Sequence, residues 1–177
     1  MSNEKTMTVG AKQYVVPAAD DDVRKLVAEY IDKVEHALEL KCAKIEIVFV
    51  APKIGTLKLS KVVRSNNELK FFSNFDYVIE ISDAYWDKLD AQEKQIVLLY
   101  CLEQILPITN DAGETKYTLK KKQIIDMPSL KDFGFEWFKP LENKIIALEV
   151  SKLEADGKPA DKLQSLKEKL ENKGLSI

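Results

Sequence analysis

YVIEISDAYWDKLDAQEKQIVLLYCLEQI, Tyr77 to Ile105, is the stretch of sequence that decides the fold. Its first part is rich in β-branched and aromatic residues, which is typical of a buried strand. Asp90 stands three residues before Glu93, which is the spacing of a capping box and predicts the start of a helix. The stretch therefore predicts a strand, a helical turn over AYWDKL, and a long buried helix through AQEKQIVLLYCLEQIL that Pro107 ends.

The chain before this stretch predicts one helix and two strands. DDDVRKLVAEYIDKVEHALEL has an acidic first turn and apolar residues three and four apart, which predicts a single helix from about Asp21 to Leu40. AKIEIVFVA and LKLSKVVRS alternate as half-buried strands do, with Ile45, Ile47 and Phe49 on one face. The apolar stripe predicted to be buried on the helix comprises Val23, Leu26, Val27, Tyr30, Ile31, Val34 and Leu38.

The chain after this stretch predicts loops and helices. TNDAGETKY is expected to be a polar loop, and YTLKKKQIIDMPSLKDFGFEW a connector with a helical turn after Pro128 and a stop at Gly134. Two helices are predicted at about residues 141–155 and 159–172, separated at DGKPA. The second helix has a narrow apolar seam, which suits packing on a partner or on the body of the protein and consists of Leu163, Leu166 and Leu170.

This order of elements predicts an α+β fold in which a small, mostly antiparallel or mixed sheet packs on helices. We expect residues 1–13 to be polar and loose, and residues 14–138 to form the α+β domain. Residues 139–177 are expected to form a C-terminal helical extension.

Composition and residue counts exclude several classes of protein. A net charge of −2 argues against a surface that binds nucleic acid over its whole extent. No apolar run approaches the roughly 20 residues of a membrane span, and the N-terminus lacks the apolar region of a secretory signal. The two cysteines, Cys42 and Cys101, are expected to be reduced, partly buried thiols in a reducing compartment.

The single histidine, His36, further limits the chemistry. A catalytic zinc site normally uses several imidazoles, and a serine-hydrolase triad would need His36 as its base. His36 lies within a helical pattern, and the chain has no nucleophile motif. We expect it to be a surface or half-buried helix residue.

Three segments together resemble the phage metallopeptidase family, a zincin-like group found mostly in bacteriophage genomes. They are KIEIVFV, then DYVIEISDAYWDKLDAQEKQIVLLYCLEQI, then KKKQIIDMPSLKDFGFEW. The register needs no gap between Trp86 and Ile105 or between Lys121 and Gly134. The resemblance runs from about residue 14 to residue 137 of 177 and implies a zincin-like α+β domain.

The resemblance also implies that every position that carries chemistry in the family has been replaced here. The two histidines of the family's H-E-x-x-H motif fall on Tyr100 and Gln104, and its catalytic Glu falls on Cys101. The downstream His-Asp pair falls on Lys122 and Gln123. In such a helix the imidazoles hold zinc and the Glu activates its water, whereas a phenol and an amide are poor ligands and an ammonium repels the ion. We therefore expect no metal and no cofactor.

Glu103 is the carboxylate nearest to the position of the family's catalytic Glu. It lies two positions further on, which is about 200° around a helix and points it away from the expected site. We expect Glu103 to face solvent or to form a surface ion pair.

The leading hypothesis is a catalytically inactive homologue of a phage metallopeptidase. It would act as a binding or structural protein, either a virion component or an accessory protein in the host cytoplasm, and its partner would be a phage or host protein. Candidate partner-binding residues lie in the tail and in the aromatic segment before it, and comprise Leu163, Leu166, Leu170, Trp137 and Phe138. No membrane association is expected, and the oligomeric state stays open.

Two alternatives come from other classes. The first is a hydrolase with a non-standard site around Cys101. The second is a nucleic-acid-associated module in which a basic cluster contacts phosphate, although such a cluster is more commonly a solvated face. The cluster consists of Lys116, Lys120, Lys121 and Lys122.

Overall fold

The computed structural model describes residues 5–55, 58–64, 75–119, 127–134, 136 and 138–157, together with positions 161, 164, 165 and 168. These residues form a five-stranded mixed sheet, a separate two-stranded sheet and several helices. The predicted α+β class is confirmed. None of the described helices is both long and apolar enough to cross a membrane.

The five-stranded sheet has the order β1-β2-β3-β5-β4. Its central pair, β3 and β5, is parallel, and the other neighbours are antiparallel. Strands β6 and β7 form an antiparallel hairpin. The strands are β1 Lys5–Val9, β2 Lys12–Val16, β3 Ile45–Ala51, β4 Ser60–Arg64, β5 Tyr77–Ser82, β6 Ile105–Thr109 and β7 Thr115–Leu119.

The helices are α1 Asp22–Ile31, α2 Ala37–Leu40, α3 Asp83–Trp86, α4 Ala91–Leu102 and α5 Phe138–Ala155, and Pro128–Phe133 forms a 3-10 helix. The predicted starts of α1 and α4 are confirmed. Asp21 caps α1 by accepting from the Val23 amide, and Asp90 and Glu93 form the full capping box of α4. Each of these bonds pairs a backbone N–H that the first turn of a helix leaves free.

The main core lies between one face of the five-stranded sheet and the helices. Alternation along the strands puts Ile47, Ile79 and Ile81 on this face, because successive side chains of a strand point to opposite sides. Helix α4 contributes Leu98 and Leu102 from the other side of the core. The opposite face of the sheet has a smaller cluster built on Val16, Val48 and Val78. Burial of each such side chain contributes about 1.5–3 kcal/mol to folding.

The N-terminal residues, expected to be loose, contain an antiparallel hairpin. Strands β1 and β2 pair along their whole length, and the connection includes Gly10 at φ 60°, a conformation that glycine adopts without strain. The hairpin extends the main sheet because Tyr14 of β2 pairs with Val50 of β3. Its strands are held by pairing with distant residues, which a local reading of a polar segment does not reveal. The predicted division of the chain into residues 1–13, 14–138 and 139–177 stays a prediction.

The single helix predicted over residues 21–40 is wrong, because the chain turns after Ile31. The Lys33 and Val34 amides donate to carbonyls three residues back, which ends α1, and α2 begins only at Ala37. The break changes the orientation of the later residues. Leu38, expected in the buried stripe, is 79% exposed.

The predicted extension of α4 to Pro107 is also wrong. The helix ends at Leu102, and Pro107 lies within β6, paired with Tyr117 of β7. A proline ring clashes with the carbonyl four residues earlier and disfavours helical backbone at the residue before it. The helix therefore ends several residues before the proline, and the chain from Ile105 to Leu119 forms a hairpin instead of a helix end and a loop.

The prediction of a C-terminal helix is confirmed, because α5 is present. Leu141 and Ile145 are buried in the main core, and Lys144 forms an ion pair with Glu93 at the start of α4. The helix is therefore packed against the body of the protein. The second predicted tail helix, including Leu163, Leu166 and Leu170, lies outside the described residues except for isolated positions.

Candidate functional site

Helix α4 and the turn after it carry Tyr100, Cys101 and Gln104, the positions on which the resemblance predicts the family's H-E-x-x-H residues to fall. The helix packs against α1, β4 and the 3-10 helix, so it is surrounded on several sides. Most of its residues from Ile96 onwards are buried, including Leu98, Leu99 and Leu102. The side chains of Tyr100, Cys101 and Gln104 therefore project into different packed environments.

Cys101 is fully buried, and its thiol faces the sheet. Its Sγ donates a hydrogen bond to Oγ of Ser60 on β4 at 3.2 Å. Burial raises the pKa of the Cys101 thiol to about 12, although the contact with Ser60 acts in the opposite direction. At neutral pH the group is a protonated thiol, and neither a nucleophile nor a metal-binding thiolate is available there.

Tyr100 and Gln104 lie one helical turn apart and are both half-buried. Burial raises the pKa of the Tyr100 phenol, so the neutral form is favoured further. The amide of Gln104 donates from Nε2 to the backbone carbonyl of Tyr100 at 3.1 Å. This bond pairs a carbonyl in the last turn of α4, where a helix has no further backbone N–H groups to donate.

The expectation for Glu103 is wrong, because this side chain is fully buried. It follows the last residue of α4, and its Oε1 accepts a hydrogen bond from the Ser129 amide at 3.2 Å. Glu103 thus ties the end of α4 to the 3-10 helix that begins at Pro128. Helical periodicity could place it away from Tyr100, but it could not show that another segment covers that side.

His36 is half-buried, which agrees with one of its two predicted environments, but it lies in the turn between α1 and α2 and not within a helix. Its Nε2 lies 2.7 Å from the carbonyl oxygen of Ile105. The ring therefore joins the turn after α1 to the first residue of β6. Because a carbonyl oxygen can only accept, Nε2 is the donor of this hydrogen bond.

The donor atoms in this part of the molecule do not fit a zinc ion. Zinc sites in proteins use thiolates, imidazoles and carboxylates, and α4 offers a neutral phenol, a protonated thiol and an amide in their place. Among the described residues there is no group of three or more His, Cys, Asp and Glu side chains able to hold a metal. Lys122 and Gln123, the other two replaced positions, lie outside the described residues.

The remaining predicted residues fall in different places. Lys116 is exposed on β7 and lines a cavity beside the main sheet. Phe138, at the start of α5, is half-buried against the main core. Trp137 and the other three lysines of the basic cluster, Lys120, Lys121 and Lys122, lie outside the described residues, and the proposed binding roles of all these side chains remain predictions.

Both cysteines are free, as predicted, but Cys42 is exposed and not partly buried.

Sequence reasoning did not identify three residues that organise the molecule around α5. Lys53, Tyr85 and Glu149 meet in a largely buried group, and they are separated by tens of residues in the sequence. One feature of the sequence could have indicated this group. Glu149 follows Ile145 by four residues, which places a carboxylate on the apolar stripe of the helix, where it needs a buried partner.

The fold and the site together define an α+β domain built around the buried helix α4. The family model described as "Putative phage metallopeptidase" matches residues 17–137. This chain belongs to that family, and the predicted resemblance is confirmed. No curated protein and no solved structure matches the chain.

Proposed function

We propose that this chain is a catalytically inactive homologue of the phage metallopeptidases and that it acts by binding, as a virion component or as an accessory protein in the host. The observation that supports this most directly is the environment of Cys101. The residue at the position of the family's catalytic Glu is a fully buried thiol bonded to Ser60, with a pKa near 12. Such a group cannot take a proton from an attacking water at neutral pH.

The two neighbouring positions support the same conclusion. Tyr100 has a phenol whose pKa is raised by burial, and Gln104 uses its amide to pair a helix-end carbonyl. Replacing charged metal ligands with packed and hydrogen-bonded side chains need not destabilise a fold. Because the fold persists while the donor set has changed, surface recognition is the remaining use of the domain.

The geometry argues against the alternative of a hydrolase built around Cys101. A cysteine nucleophile needs a thiolate, an accessible sulfur and a base. Here the sulfur is inaccessible, and the ring of His36 is engaged with the Ile105 carbonyl.

Metal analysis of the purified protein tests the loss of catalysis. We expect far less than one zinc per chain after incubation with zinc and desalting, and no cleavage of a casein substrate. A triple variant, Tyr100→His, Gln104→His and Lys122→His, is the matched control because it returns three imidazoles to the family's ligand positions without placing a charge at buried Cys101. We expect the variant to retain zinc. Stoichiometric zinc in the unmodified protein, or hydrolysis that chelators abolish, would contradict the proposal.

The binding role is tested by quantitative mass spectrometry of purified virions and of infected cells. A fixed copy number per particle would support a virion component. Presence in infected cells in a stable complex with one host protein, without incorporation into particles, would support the accessory role. A monomer without a partner in both samples would contradict a role in binding.

A further inference from the structure

A cavity of about 470 Å³ lies where the main sheet meets the β6–β7 hairpin. Its walls come from the end of β4, the start of β5 and strand β7, and this volume is in the range of small-molecule sites. It is separate from the positions of Tyr100, Cys101 and Gln104. The residues that matter for its chemistry are Arg64, Phe75, Asp76, Lys116 and Tyr117.

One wall of this cavity is held in place by hydrogen bonds. The carbonyl oxygen of Tyr117 accepts from Nη2 of Arg64 at 3.1 Å and from the Tyr77 hydroxyl at 2.6 Å. The Tyr117 hydroxyl donates to the Glu39 carbonyl at 2.7 Å, and the rings of Tyr77 and Tyr117 meet edge to face. These contacts hold the Arg64 guanidinium, which carries five N–H donors, at the cavity.

Within the part of the chain that the structure describes, neither Arg64 nor Lys116 forms an ion pair. Lys116 is exposed, and within the described part of the chain it has no hydrogen-bond or ion-pair partner. Among the described residues, the contact of the Arg64 guanidinium is with the neutral carbonyl of Tyr117. Oδ2 of Asp76, a carboxylate of the lining, accepts from the backbone amide of Lys44 at 3.3 Å. The lining thus combines two cations, one hydrogen-bond acceptor and a half-buried aromatic ring, Phe75.

We propose that this cavity binds a nucleoside monophosphate unit, either as a free nucleotide or as one residue of a single strand. Arg64 and Lys116 would contact the phosphate, since a guanidinium and an ammonium are the usual partners of phosphate oxygens. Phe75 offers a ring on which a base can stack. Asp76 would accept a hydrogen bond from a ribose hydroxyl or from an amino group of the base.

A nucleotide fits this lining better than a simple anion. An acidic side chain of a partner protein would use Arg64 and Lys116, but it would leave the ring of Phe75 and the acceptor oxygens of Asp76 without a partner. A nucleotide would contact all four side chains, namely Arg64, Lys116, Phe75 and Asp76. The proposal concerns a different surface from the proposed function and does not depend on it.

Titration with AMP, adenosine and inorganic phosphate, followed by NMR shifts or calorimetry, tests this proposal. We expect AMP to bind more tightly than either of its parts. Lys116→Ala should weaken AMP binding by about tenfold, because it removes one charge-assisted contact. Lys88→Ala is the matched control, since Lys88 is an exposed lysine beyond the opposite end of β5, and it should leave binding unchanged.

Phe75→Leu separates base recognition from phosphate recognition. This variant keeps an apolar side chain but removes the aromatic face, so AMP binding should weaken while phosphate binding should not change. A single-stranded pentanucleotide, compared with AMP, distinguishes a strand from a free nucleotide as the source of the ligand. Equal weakening by Lys88→Ala and Lys116→Ala, equal affinity for phosphate and AMP, or no binding of AMP and of the pentanucleotide would each overturn the proposal.

Discussion

The ammonium of Lys53 lies 2.6 Å from both carboxylate oxygens of Glu149, and the pair joins the loop after β3 to helix α5. The Tyr85 hydroxyl donates to Oε1 of the same carboxylate at 2.6 Å. Both charged side chains are largely removed from water, with 20% of Lys53 and 7% of Glu149 exposed. The contact therefore fixes the C-terminal helix to the body of the protein.

Glu149→Ala should lower the free energy of unfolding by about 2 kcal/mol. The loss is smaller than for a fully buried pair, because Lys53 retains some access to water and can be resolvated. Urea denaturation followed by fluorescence measures the change. Glu154→Ala, an exposed position of the same helix, is the control and should change the stability by less than about 0.5 kcal/mol. Equal effects of the two substitutions would show that the Lys53 contact does not hold α5.

The same carboxylate makes stability depend on pH in the acid range. Burial raises the pKa of Glu149, but the hydrogen bonds from Lys53 and Tyr85 and the charge of Lys53 outweigh it, so the pKa in the folded protein lies below the ordinary 4.5. A carboxyl with a lowered pKa stabilises the folded state fully above its unfolded value, and this contribution is lost as the pH falls through the folded pKa. Urea midpoints measured from pH 7 down to pH 3 should therefore fall less in Glu149→Gln than in the unmodified protein. Parallel profiles would contradict this assignment.

Glu80 should have the opposite effect. This residue of β5 is 8% exposed, and burial raises the pKa of its carboxyl, although Lys61, Lys12 and Lys58 act against the shift. A raised pKa means that the folded state prefers the protonated acid, so stability is lost as the pH rises from the ordinary value of 4.5 through the folded pKa. Glu80→Gln should therefore raise the urea midpoint at pH 7, and this gain should shrink at pH 4. A variant less stable than the unmodified protein at pH 7 would show that the lysines dominate.

The two cysteines should differ in reactivity. Cys42 is exposed, whereas Cys101 is buried with its thiol pKa raised to about 12. One thiol per chain should react with Ellman's reagent at pH 8 in the native protein, and two after unfolding in urea. Cys42→Ser should abolish the native reaction. A fast reaction that remains in this variant would mean that the sulfur of Cys101 is accessible, which the proposed loss of catalysis does not allow.

Glu103→Ala should destabilise the protein by about 2 kcal/mol, because it leaves the Ser129 amide without its carboxylate partner and opens a space in a buried region. Gln104→Ala is the control in the same turn and should cost less than about 1 kcal/mol, since its amide pairs only a half-buried carbonyl. Thermal or urea denaturation compares the two. If the control is the more destabilising variant, Glu103 is not the residue that ties α4 to the 3-10 helix.

Local sequence signals were sufficient to predict those elements whose boundaries or buried faces are set by residues close together in sequence. The capping box of Asp90 and Glu93 predicted the start of α4, and alternation predicted which residues of β3 face the core. These predictions hold because the determining groups lie within a few residues of one another. The order of residues from Tyr77 to Ile105 also contributed to recognising the family, whereas the assignment of its catalytic positions to Tyr100, Cys101 and Gln104 stays a prediction.

The tertiary structure decided the features that depend on residues far apart in sequence. His36 meets the Ile105 carbonyl, and the turn that presents it divides a stripe whose helical spacing predicted one continuous helix. Glu103 is buried where the segment at Ser129 covers it, and Cys101 is buried against Ser60 of β4. Helical and strand periodicity specify which face of an element a residue occupies. Whether that face is buried or exposed to water depends on which other segments pack against it. For this protein the sequence alone was sufficient to recognise the family, and only packing determined which side chains are buried and in which direction burial shifts their pKa values.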